Sequence, residues 1–226
     1  MSTTRLEHDL AHLRARLLLM SAAAGIAVDD ACEALASGNL GRAESVIAGD
    51  ASIDALENEI DDLAMTLLAR NQPVAQDLRF VIAALRMVTE LERIGDEASD
   101  IAERVLILRG QLPVAALTAV RGLMESAVEL YAESMAAFRN SDPKAALRMC
   151  RTEDEHAQME MQALQSLVEM HGPASSMDVS VAAMHGILIS RSLHRICRRA
   201  ANIAEQTYFM LQGVNIKHIS LAGEIG

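Results

Sequence analysis

Tryptophan is missing from this 226-residue chain, tyrosine and phenylalanine together number five, and there are only four prolines. Strands favour β-branched and aromatic residues, so this scarcity argues against a sheet. Cysteine is equally thin: Cys32, Cys150 and Cys197 are far apart, odd in number and without CxxC spacing. That pattern points to reduced thiols and away from a disulfide framework or a zinc site. Basic residues are outnumbered, with 20 Lys and Arg against 31 Asp and Glu, for a net charge of −11. Recognition of a phosphate backbone needs basic patches, so nucleic acid is not the expected partner. A bound cation or a basic partner surface suits the balance better. Neither a GxxxxGK(S/T) nor a GxGxxG loop occurs, and no local Ser/His/Asp or Cys/His signature, so nucleotide hydrolysis and nucleophilic catalysis are not indicated. Uncharged runs are short as well: Leu17–Val28 has 12 residues, too few to span a bilayer. Glu7 and Asp9 stand where a signal peptide would be cationic, and a cytoplasmic location is expected.

What is present is the composition of helices. Ala, Leu, Met, Glu and Arg dominate a chain that is 51% hydrophobic and 23% charged, which excludes a disordered or fibrous class. Punctuation predicts six helices. The first runs from about Thr4 to Ser37 and stops at Gly38-Asn39; the second covers roughly 41–70 and stops before Pro73; the third runs from about Val74 to Gly110. Pro113 opens the fourth, Asp142-Pro143 caps and opens the fifth, which ends near Gly172-Pro173, and the sixth covers about 177–213. Long helices joined by short turns pack as antiparallel neighbours, so the expected fold is all-α, two three-helix bundles. Leu91–Glu103 aligns with Leu193–Glu205 at an offset of 102, with seven of 13 positions identical. The halves are therefore expected to be a duplication, with repeats at 1–110 and 111–226 and pseudo-twofold symmetry.

Two acidic stripes raise the functional question. On the third helix Ala84, Val88, Leu91, Gly95, Ala98, Ala102 and Val105 form the apolar arc, and Glu92, Asp96 and Glu103 gather at its edge, with Asp100 just beyond. Like charges four apart on a helix repel by a few tenths of a kcal/mol, ~0.2–0.5, per pair. Gly95 beside them costs roughly 1 kcal/mol relative to Ala, which implies a close approach to the backbone there. On the second helix Asp50, Asp54, Glu57 and Asp61 share one sector beside Ile53, Leu56, Ile60 and Leu67. If the two edges meet, the carboxylates must take up protons or draw in cations, and oxygen-only donors suit Mg²⁺, Ca²⁺, Mn²⁺ or iron. The competing reading is a pair of solvated faces with Arg93 and Arg104 as neighbours.

The stretch Gln72–Glu103, QPVAQDLRFVIAALRMVTELERIGDEASDIAE, resembles the signature of the PhoU family of phosphate-specific transport accessory proteins. The resemblance extends to Asp9-Leu10, to Asp50…Asp54, to the NIAE of the sixth helix and to the final GVNIKH. It implies two pseudo-symmetric three-helix bundles and a non-enzymatic regulator of phosphate uptake. Implied partners are a phosphate ABC transporter ATPase, a sensor histidine kinase or both, with membrane association only peripheral and through those partners. It also implies a divalent or iron-type metal ion at Asp50, Asp54, Glu92 and Asp96, with Asp9 as a further candidate; the stripes themselves add Glu57 and Asp100, and we expect a homodimer. The second half departs from the pattern: His194-Arg-Ile-Cys-Arg198 replaces the acidic motif, and neither Thr152/His156 nor Glu153/Ala157 restores the helix partner. The metal site is thus expected in the first half alone, with Arg195, Arg198 and Arg199 available to an anion or an acidic partner.

Two alternatives remain in view. Glu153-Asp-Glu-His156 has the ExxH spacing of di-iron carboxylate enzymes, but the second ExxH is lacking. A metal-free scaffold with a solvated stripe is the other. The 13 methionines, among them Met20, Met65, Met87, Met124, Met135 and Met210, fall mostly at apolar spacing and are expected to fill the core.

Overall fold

The computed structural model describes residues 2–170 and 176–216, and among these every regular element is an α-helix. In order they are α1 Ser2–Ser37, α2 Leu40–Asn71, α3 Ala75–Ile107, α4 Val114–Asn140, α5 Pro143–Met149, α6 Glu153–Met170 and α7 Met177–Gln212. Seven helices thus correct the expected six. The fifth predicted helix breaks at Cys150–Thr152, where the Thr152 hydroxyl donates to the Met149 carbonyl at 2.8 Å and the His156 amide bonds to the Thr152 carbonyl. The missed signal is Thr152-x-x-Glu155, a helix-start pattern lying inside a longer apolar periodicity. The predicted Gly172-Pro173 stop and the Lys217-His218 end of GVNIKH lie outside the described residues. None of the helices among the described residues is long and apolar enough to cross a membrane.

Helices α1, α2 and α3 pack on one another, as do α4, α6 and α7, with α5 filling in against α4 and α7. The two sets meet mainly where α3 lies on α7, and a lesser contact joins α1 to α4. Their side chains form one continuous apolar core, with Leu17, Met87, Leu91, Ile101, Phe138 and Ile189 fully buried. Where α1 meets α4, the Tyr131 hydroxyl donates to the Ser21 carbonyl, and Gly25 leaves room for the ring.

Charge organises the α3–α7 seam. Arg195 Nη2 donates to Glu97 Oε2 at 2.7 Å, and its Nε lies 2.6 Å from Oε1, an ion pair on a buried glutamate with one hydrogen bond. Arg199 lies 3.3 Å from Glu90 and 3.8 Å from Glu97, and Asn202 also donates to Glu90, at 3.1 Å. Arg195 and Arg199 are therefore answered by this chain's own acids, which corrects the expectation that they await an outside anion.

The turns after α1 and α3 touch backbone to backbone. Gly38 and Gly110 both take φ of +69°, and a Cβ on Gly38 would lie 2.5 Å from the Gly110 carbonyl oxygen. Only glycine accepts both the left-handed conformation and that approach. Gly38→Ala or Gly110→Ala should lower the unfolding free energy by roughly 1–3 kcal/mol in urea titrations. Gly49→Ala, on a helical face with nothing within 4 Å of the new methyl, should instead stabilise by about 0.5–1 kcal/mol.

Candidate metal centre

The glycine in the middle of α3 explains how the two acidic edges come together. A Cβ on Gly95 would lie 2.9 Å from Ile53 Cδ1 and 3.4 Å from Asp50 Oδ1. With no side chain at 95, Ile53 of α2 seats directly on α3, and the Asp50 carboxylate is drawn to the margin beside it. One turn on, the helical spacing brings Asp54 and Glu57 along the same margin, facing Glu92 and Asp96.

The ionisation behaviour reports the crowding. Partial burial, then the charges of Asp54 and Asp96, push the Asp50 carboxyl above its ordinary range, against the Ser99 hydroxyl beside it. Glu57 is raised by burial first and then by Asp61, Asp54 and Asp96. Glu92 is pushed up to about 7 by burial, by the charges of Asp96 and Glu57, and by a hydrogen bond to Asp96 that requires the proton. Arg93 opposes these shifts at Glu57 and Glu92 without overcoming them. The two faces are not solvated independently at this edge, because carboxylates from both helices perturb one another.

Asp50, Asp54, Glu57, Glu92 and Asp96 are thus brought together, and two predicted residues are not. Asp100 lies on the opposite flank, 3.9 Å from Arg195. Asp9 accepts a hydrogen bond from Asn71 at 3.0 Å, at the far end of α2 and about 30 Å along that helix from Asp50. Ser99, which sequence reasoning passed over, stands in the cluster; only the register of α3 against α2 could have pointed to it.

The donor set is oxygen only, the chemistry of hard or borderline cations. Among the described residues no group of three His, Cys, Asp or Glu side chains is already arranged to hold a metal ion. The residues fit a cation as an open carboxylate edge, not as a closed shell. A cleft of about 590 Å³ lies elsewhere, beside Asp29, Cys32 and Met124.

At the corresponding place in the second half, His194 Nδ1 lies 3.4 Å from Glu160 and 3.3 Å from the His156 carbonyl. The position that repels in α3 attracts in α7. His156 is buried, with its Nδ1 against the Thr152 carbonyl, and the side chain of Glu153, its ExxH partner, lies outside the described residues.

Known proteins resemble this chain over most of its length. A family model described as the PhoU domain matches it twice, at residues 17–105 and 120–207. A phosphate-specific transport system accessory protein PhoU homolog of Pseudomonas aeruginosa is 34% identical over 217 residues, covering 94% of this chain and 88% of the relative. A homolog of the same description from Caulobacter vibrioides is 35% identical over 209 residues, covering 91% and 89%. The crystal structure of PhoU from Pseudomonas aeruginosa matches with a TM-score of 0.86 at 32% identity, over 92% of this chain and 99% of that one.

The raised acids make a signed prediction for cation-free protein. A carboxyl whose folded pKa lies above its unfolded value stabilises the fold below the unfolded pKa and loses that contribution as pH rises through the folded one. For Glu92 the window runs from its ordinary 4.5 to about 7. Glu92→Gln, which keeps the neutral shape, should therefore melt higher than the parent at pH 8 and no higher at pH 4, below that window. The carboxyl carbon of Glu92 should titrate near 7 by NMR, and Asp96→Asn should bring that midpoint down.

Proposed function

The chain belongs to the PhoU family, and on that premise we propose that it regulates phosphate uptake by protein contact, with no reaction of its own. The relatives' names, accessory proteins of a phosphate-specific transport system, support the phosphate assignment. The partners that fit are the ATPase of a phosphate ABC transporter and a sensor histidine kinase. Each would offer a basic surface to a chain whose net charge is −11, and membrane contact would come through them. The protein works in the cytoplasm as a homodimer, its two three-helix bundles being repeats spanning 1–110 and 111–226. The double match of the family domain supports that division.

The observation behind the metal assignment is the shared carboxylate edge, where Glu92 is held at about 7 by its neighbours. Asp50 and Asp54 from α2 and Glu92 and Asp96 from α3 hold the ion, with Glu57 beside them. A bound divalent or iron cation would supply the positive charge that cancels their repulsion. Glu92 gives up its proton on binding, so affinity falls as pH drops below about 7. Occupancy offsets the local negative charge and changes which basic surface the edge can engage.

Elemental analysis of protein purified without chelator separates this reading from a metal-free scaffold. Glu92→Ala/Asp96→Ala should lose bound metal and weaken Mn²⁺ binding at least about tenfold by calorimetry, with the far-ultraviolet helix signal intact. Stoichiometric metal in that double variant would falsify the site. Oxygen consumption by the iron-loaded parent would instead favour the di-iron carboxylate enzyme.

A further inference from the structure

The outer side of α6 and the first half of α7 form a groove of about 400 Å³ lined by Leu167, Val168, Met177, Val181, Met184 and Ile187. Its walls are apolar and open: Met177 is 78% exposed, Val168 59% and Met184 52%, and Met161, beyond the groove on α6, is 66% exposed. Met177, Val181 and Met184 fall at i, i+4 and i+7 on α7, while Met161 and Val168 are seven apart on α6, so the exposed apolar residues run as ridges along two helices. Gly186 holds those helices close: a Cβ there would lie 2.6 Å from Leu167 Cδ2, and Leu167 makes the floor. Methionine-lined grooves of this form accept the apolar face of a helix, since the flexible thioether side chains adapt to it.

Charge selects the occupant. From Thr152 to Ser190 the sequence has no lysine or arginine and six acids, Glu153, Asp154, Glu155, Glu160, Glu169 and Asp178. Glu169 and Asp178 stand exposed beside the groove. Anionic lipid headgroups recruit Lys and Arg, of which this stretch has none. A second copy docked about a twofold axis would set the same acidic face against itself. We propose that the α6–α7 groove docks a basic amphipathic helix of a partner protein. The inference goes beyond the regulatory reading and does not depend on the carboxylate edge holding an ion, since the two surfaces share no residue.

The test uses the full chain with ¹³C-methyl methionine and a synthetic Leu/Lys amphipathic helix about 18 residues long. Saturable shifts should be confined to Met161, Met177 and Met184, with buried Met20 and Met87 unmoved, and should weaken with added salt. Met177→Lys/Met184→Lys alters two exposed positions, so it should fold like the parent while binding at least about tenfold more weakly. Equal binding of a Leu/Glu peptide of the same spacing, or undiminished binding by that variant, would overturn the proposal. So would a parent dimer that dissociates in the variant by sedimentation, which would assign the groove to a second copy.

Discussion

The ion pair of Arg195 with Glu97, reinforced by Arg199, is the interaction around which the rest of the charge distribution is arranged. Glu97 is buried, and a buried carboxylate is tolerated only when paired and hydrogen-bonded. Pairing it fixes α3 against α7, and through that contact fixes one set of helices against the other. It also commits Arg195 and Arg199 of α7 to one flank of α3. The opposite flank, with Glu92 and Asp96 facing Asp50 and Asp54, has Arg93 as its nearby cation and remains short of positive charge. One helix thus presents two acidic edges, one satisfied from within the chain and one left for protons or an outside cation.

The proposed duplication shows how that asymmetry arose. Residues 97 and 199 differ by the repeat offset of 102, and Glu97 and Arg199 lie 3.8 Å apart. Equivalent positions of two copies meet only where the copies face each other across a symmetry axis. Identical charged residues there would repel, and the Glu/Arg pairing removes the conflict. The same divergence alters the other edge: Glu92 and Asp96 correspond to His194 and Arg198, and Gly95 to Cys197. In the second half a histidine against Glu160 replaces the carboxylate against carboxylate of the first. The repulsion that the second half resolves internally is left in the first half to protons or to the proposed ion.

Legibility followed the range of the interaction. Helix ends written by Asn39, Gly110, Pro113, Asp142 and Gly213 were readable, because caps and turns involve residues a few positions apart. The acidic stripes were readable for the same reason, through i, i+4 spacing, and Gly95 announced a close approach that proves to be Ile53 and Asp50. What escaped depended on partners far along the chain. Arg195 and Glu97 are separated by 98 residues, so periodicity left the arginines looking unclaimed, while Asp100 was placed by proximity on a wheel that ignores which helix packs where and Asp9 by the family resemblance alone. The Cys150–Thr152 break was hidden because the apolar spacing continues across it. Methionine shows the limit of composition: Met20, Met87, Met124, Met135 and Met210 are buried as expected, yet Met65, Met161, Met177 and Met184 lie on the surface.

How an ion at the carboxylate edge would be felt elsewhere follows from the packing of α3. Asp96 in the edge and Glu97 in the seam are consecutive residues on a helix that lies against α1, α2 and α7. Its core-facing residues Ala84, Met87, Val88, Leu91, Ile94, Ala98, Ile101 and Ala102 are fully buried. Close-packed interiors do not deform continuously, and moving α3 would break the Glu97 pairs as well as the core. A change of shape propagated through α3 would need a second stable arrangement of that helix, and its contacts on three sides oppose one. The carboxylate edge is instead open to solvent, where a change of charge reaches a partner directly. The effect of the proposed ion would therefore be electrostatic, exerted on whatever basic surface approaches α2 and α3, with the packing of α3 opposing any change of shape.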